Sequence, residues 1–175
     1  MNILLSILSL LGLSAQQPGA SAPAPPPALG QFAFVVGRWT SEGETFPESY
    51  GAAAGKFSGE VECRWGPQNL WIETDSAAAL ASGPRYTVHI LVAAKPGGVE
   101  LTALAVNSAS AAGVTYEGRV EGPAAAVFTG HAAKKWQRVA YRRVANGDVE
   151  FSVEESSSPD GPWLRHSRAH WTPRH

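Results

Sequence analysis

A single cysteine, Cys63, in 175 residues rules out an intramolecular disulfide, so stability must come from packing rather than from staples. Charge is scarce and balanced. Fourteen Lys and Arg against fifteen Asp and Glu leave a formal charge of -1, which gives no broad field to attract nucleic acid or an anionic membrane. The chain lacks a Gly-x-Ser-x-Gly elbow, a phosphate loop and a dinucleotide fingerprint, so no motif argues for an enzyme. After the N-terminal segment there is no convincing stripe of apolar residues at a 3.6-residue period, which argues against a helical domain. What remains is an ordinary globular composition, 44% hydrophobic and 17% charged, long enough for one domain with a sizeable core.

The first residues stand apart. Ile3 to Leu13 form an apolar run of about 11 residues, short of the ~20 a spanning helix needs but suited to a signal-peptide h-region. Leu13-Ser14-Ala15 ends in a small residue, which places the expected cleavage near Ala15 and the mature protein in the periplasm or outside the cell. The expected linker, Gln16 to Ala28, is too rich in Pro, Ala and Ser to bury a face. No cysteine follows the apolar run, so a lipoprotein anchor is not expected. The domain is expected over 29–175.

Within that domain the period is two. Val61, Cys63 and Trp65 alternate with Glu60, Glu62 and Arg64, the pattern of a strand with one buried and one wet face. Comparable runs cover Arg38–Phe46, Leu70–Ser76, Arg85–Ala93, Val99–Val106, Val114–Glu121, Ala125–Gly130, Lys135–Val144, Val149–Glu154 and Trp163–Thr172. Gly and Pro clusters separate them. Asn146-Gly147 tolerates positive φ at both positions and predicts a hairpin between the eighth and ninth strands. Ten strands in sequence predict an all-β fold, an antiparallel up-and-down barrel, because closure removes the edges an open meander would expose. Leu29 to Val36 is the expected short helical turn, with Phe32, Val35 and Val36 plugging one end.

Gly37-Arg38-Trp39 opens the first strand, and Arg165 and Arg168 lie on the last. This arrangement resembles the lipocalins and the wider calycin superfamily, in which a Gly-x-Trp begins the barrel and a late arginine packs over the indole. The resemblance implies that Gly37 turns the chain into the wall and that Trp39 closes the floor. It also implies that Arg168, or else Arg165, lies over the ring, a contact worth roughly 0.5–2 kcal/mol. Gly37 to Gly43 and the phrase from Ser158 to Arg168 are similar to uncharacterised exported bacterial lipocalin-like barrels. FVVGRWTSEGETFP also resembles the opening of nitrobindin-type haem barrels. That second resemblance implies a C-terminal histidine as iron ligand, with His170 first by position and His166 next.

Other candidates follow from the strand pattern. Trp71, Glu73 and Asp75 share one face of the third strand and, turned inward, would offer an indole and two carboxylates to a ligand. Tyr86 and His89 lie on the fourth strand, where both faces are fairly apolar. The small residues Ala103, Ala105, Gly118 and Thr129, on expected inward faces, are consistent with an interior cavity and equally with tight packing. His166 and His170 would stand about 13 Å apart on a strand, too far to share a metal. The leading expectation is an exported barrel, not an enzyme, that binds a small apolar ligand without a cofactor. Haem binding, an in-barrel acid or base from His89 or Glu73 and Asp75, and a structural role in the cell envelope are the alternatives.

Overall fold

The computed structural model describes residues 22–47, 54–80, 83, 85–108, 110–132 and 134–174. The expected signal peptide and the first part of the expected linker lie outside them. A short helix, α1 (Pro27–Phe32), runs into a 3-10 turn (Ala33–Val35). Ten strands follow: β1 (Gly37–Thr45), β2 (Gly55–Trp65), β3 (Trp71–Leu80), β4 (Arg85–Ala94), β5 (Leu101–Asn107), β6 (Ser110–Val120), β7 (Ala125–Ala132), β8 (Lys135–Arg143), β9 (Val149–Ser156) and β10 (Leu164–Pro173). Each pairs antiparallel with its neighbours in sequence, and β10 closes on β1. The fold is the expected all-β up-and-down barrel. Asn146 and Gly147 both have positive φ, 67° and 84°, in the turn between β8 and β9.

Alternation along each strand sorts the side chains. The rung Trp39, Val61 and Ser76 faces in, as does the rung Cys63, Thr74 and Ile90. The neighbouring rung Arg38, Glu62, Asp75 and His89 faces out. One end of the interior is filled. Leu29, Phe32 and Val35 from the helical segment pack with Ile72, Val92, Leu101, Ala126 and Val149, all 2% exposed or less. Phe32 meets the edges of the Phe128 and Tyr141 rings with centroids 5.4 Å away. The plug starts slightly before the expected boundary: Pro27 begins the helix, and Ala28 is buried and donates its N–H to the Gly98 carbonyl. The missing N–H and fixed φ of proline suit the first helical position.

Two glycines answer packing needs. Gly37, at φ 151°, lets the chain enter β1 with the Trp39 indole 3.5 Å from where a side chain would start. Gly118 lies beneath the Phe128 ring, which a Cβ there would meet at 2.3 Å, so this position is filled by a neighbour rather than left as space.

The expected arginine over Trp39 is not what the structure holds. Arg168 sits on the outward face of β10, with Nε donating to Glu44 at 2.6 Å and its guanidinium 5.9 Å from the Phe46 ring. Arg165 is exposed and pairs in register with Glu154. The reason is parity. Trp39 faces in opposite Pro173, whereas Arg168 faces out opposite Glu44, so wall and distance both separate them. Trp39 is instead closed in by the Trp171 ring, with centroids 6.4 Å apart, and by its Nε1 hydrogen bond to Val35 O at 2.8 Å.

Candidate functional site

The interior changes character along the barrel axis. Beyond the plugged end, inward-facing Phe57, Val88, Ile90, Ala105, Val114, Val139 and Val153 remain only partly buried. Phe57, Ile90, Ala105, Val114 and Val139 pack against the core while keeping part of their surface accessible. Ala105 and Ala103 are inward, as the sequence suggested. Thr129 is not: it pairs with Glu117 on the outer face.

Above this apolar belt, β6, β8, β9 and β10 bring a polar group to the inner wall. Tyr116 Oη donates to Gln137 Oε1 at 2.6 Å, and Gln137 Nε2 donates to Glu155 Oε1 at 3.4 Å. Lys135 Nζ lies 3.2 Å from Glu155 Oε2, and His166 Nδ1 lies 3.4 Å from Oε1. Glu155 is 4% exposed, so its charge is tolerable only because Lys135 and these donors neutralise and solvate it. Burial pushes the His166 pKa below its ordinary value, with Glu155 opposing and Lys135 reinforcing the shift.

Sequence reasoning missed this cluster, although part of the signal was present. Val149, Phe151 and Val153 define the inner face of β9, and Glu155 continues it by the same period of two. His166 breaks alternation. Ser167, Ala169 and Trp171 face in, so regular spacing would turn His166 out. A register shift between Arg165 and Ser167 instead carries it toward Glu155.

Of the anticipated ligand contacts, only Tyr86 lies on the inward rungs, opposite Ala78, and its position near the mouth leaves it 40% exposed. Trp71, Glu73, Asp75 and His89 do come together, but on the outer wall, which removes the idea of an in-barrel acid or base built from them. Trp71 Nε1 donates to Glu73 at 2.8 Å. Arg64 bridges Glu73 at 2.8 Å and Asp75 at 2.6 Å, and His89 Nδ1 donates to Asp75 at 2.6 Å. The His89 and Arg64 hydrogen bonds hold the Asp75 carboxyl below the usual carboxylate range, and the Trp71 bond does the same for Glu73. Period two alone left the direction of this face open, because Trp71 looks like a core residue. Its indole lies instead against the outer side of Gly66, within 2.2 Å of a side chain added there.

The network borders a pocket of about 840 Å³ whose lining joins outward Arg38, Glu60, Glu62 and Arg174 to Trp39, Val61 and Val88 of an inward rung. Arg38 pairs with Glu62 at 3.2 Å and Arg174 with Glu60 at 2.5 Å, and the third carboxylate of the lining, Asp75, is held by Arg64 and His89. Cys63 is buried against Thr74, and burial pushes its thiol up to about 12, which leaves it inert as a nucleophile. His170 faces out and lies 2.7 Å from Asp148.

The chain matches no family model and no curated protein. It is similar in structure to Rv2717c from M. tuberculosis, with a TM-score of 0.64 at 14% identity, over 87% of this chain and all of that one. At such low identity the likeness concerns the barrel alone.

Proposed function

We propose that this chain is a binding protein that holds a small, largely apolar ligand in the unfilled part of its barrel. The observation that carries the reading is the belt of half-buried inward residues, Phe57, Val88, Ile90, Val139 and Val153, above a floor packed solid by the helical plug. A protein gains about 25 cal/mol per Å² by removing such surface from water, and a ligand fitting the belt supplies that burial. The polar wall around Glu155 would orient it. Export through the N-terminal segment fits a carrier or scavenger outside the cytoplasm, and a signal peptide cut near Ala15 is part of the proposal.

Titration of delipidated protein with the neutral apolar dye Nile red tests this. Saturable binding at one dye per chain, displaced by medium-chain alcohols, is expected. Non-saturable dye uptake, or none, would overturn it.

A haem reading is tested by the same preparation. His170 does not fit an iron ligand inside the barrel, since it points outward to Asp148. Among the described residues His166 is the histidine on the inner wall, and burial, which lowers its pKa, suits the imidazole to metal ligation. If haem were added, a Soret band lost in His166→Gln but kept in His170→Gln would favour this second reading, in which haem would supply redox or gas-binding chemistry. An unaltered haem spectrum would exclude it.

A further inference from the structure

The even charge of the whole chain conceals an uneven placement. At the barrel rim away from the helical plug, two carboxylates each stand between two cations. Glu44 pairs with Arg168 at 2.6 Å and lies opposite Lys56 in register, and Glu154 pairs with Arg138 at 2.5 Å and lies opposite Arg165. Each can neutralise one neighbour and leaves the other over. Lys135 is matched by buried Glu155. Arg85, which opens β4, and Lys134, in the turn before β8, make no ion pair among the described residues.

Lys56, Arg85, Lys134 and Arg165 are all exposed, and they are spread over β2, β4, the β7–β8 turn and β10. They therefore ring the rim instead of crowding one side of it. Among the described residues Asp160 is the opposing charge left over there, while Glu42 faces outward further from the rim, opposite Ser58. Glu48, between β1 and β2 in the sequence, lies outside the described residues and offsets one cation at most. Nearer the plug the sharing is reversed. Arg64 serves both Glu73 and Asp75, and Lys95 serves both Glu100 and Glu117. The barrel thus carries a lengthwise separation of charge, positive at the rim.

Apolar surface is exposed at the same place. Tyr86, second in β4, is 40% exposed, and Leu164, first in β10, is 52% exposed. Trp163 precedes Leu164, with the Arg138 guanidinium 4.6 Å over its ring, and Trp136 meets the His131 ring edge-on with centroids 5.1 Å apart. Both indoles are half-buried.

We propose that this rim docks on an anionic lipid surface, with the four cations against the headgroups and Leu164, Tyr86 and the indole edges at the headgroup–acyl boundary. Lys and Arg are drawn to such a surface within a Debye length, about 8 Å at physiological salt. Trp and Tyr favour the same boundary, because an apolar ring and a polar edge find both media there. A soluble polyanion would engage the cations and make no use of Leu164 or Tyr86, so a lipid surface accounts for more of the rim. The docking is independent of what fills the lumen.

Co-sedimentation with vesicles tests it, using the chain from Gln16 onward, which retains every described residue. At low salt the protein should bind vesicles of equal parts phosphatidylglycerol and phosphatidylcholine about tenfold or more tighter than phosphatidylcholine alone, and added salt should erase the difference. Arg85→Gln and Lys134→Gln should each weaken binding about fivefold, the factor for one basic residue near an anionic surface. Arg143→Gln makes the same change of net charge at the plug end and should leave binding unaltered. Leu164→Ser should weaken vesicle binding while leaving binding to dextran sulfate as it was. Equal binding to both kinds of vesicle, no binding to either, or equal losses in Arg143→Gln and Lys134→Gln would overturn the proposal and leave the lumen reading intact. Dextran sulfate bound as tightly as the vesicles, with Leu164→Ser indifferent, would also overturn it and make the rim a polyanion site.

Discussion

Trp39 donates its indole N–H to the carbonyl oxygen of Val35 across 2.8 Å, tying the first strand to the turn that plugs the barrel. The bond is buried, so breaking it strands a carbonyl as well as removing contact with Trp171. Trp39→Phe should cost roughly 2–4 kcal/mol in chemical denaturation, from the orphaned acceptor and the lost volume together. Arg168→Ala, which removes only an outer ion pair with Glu44, should cost about 0–1 kcal/mol. The reverse ranking would restore the arginine as the closing element.

That contrast shows what the sequence could and could not convey. Strand order and closure were legible because period two and turn residues such as Asn146-Gly147 are local signals. The plug was legible because Phe32 and Val35 stand just before Gly37 with no other face to bury. The direction of a face is a relation between strands. The run Trp71, Glu73, Asp75 is compatible with either side until Thr74 is seen opposite Cys63 in the core. His166 was hidden for a second reason. A bulge changes parity without changing composition, and no residue near Arg165 announces it.

The plug itself should be needed for the native state. Phe32 is 1% exposed and packs edge-on to Phe34, Phe128 and Tyr141. Phe32→Ala should cost about 3–5 kcal/mol, the usual range for emptying a phenylalanine site in a core. A loss below about 1 kcal/mol would mean that the helix only rests on the barrel end.

Acid should weaken the fold through His166. Its pKa in the folded chain is lowered by burial, so the unfolded chain binds more protons once the pH drops below about 6.5. Stability from this group is full above that value and falls as pH decreases toward the lowered folded pKa. Melting temperatures of the native protein and His166→Gln, compared at pH 7.5 and pH 5, should show a smaller acid-induced drop for the variant. Asp75 and Glu73, with lowered values, act mainly at still lower pH and should not mask the difference. An identical drop in both proteins would mean that His166 titrates freely in the folded state.

The claim that the ligand lies inside the barrel meets its most direct test on β5, where consecutive side chains point to opposite sides of one wall. Ala105 faces the lumen between Ile90 and Val114, whereas Leu104 and Val106 face outward and are 45% and 40% exposed. Nile red titrations of Ala105→Trp and of the double variant Leu104→Ser, Val106→Ser decide between the two sides. Filling the lumen at position 105 should abolish saturable binding in a protein that still melts cooperatively, while the outer double variant should bind as the native protein does. Binding that survives Ala105→Trp and disappears in the double variant would contradict it and move the site to the outer wall.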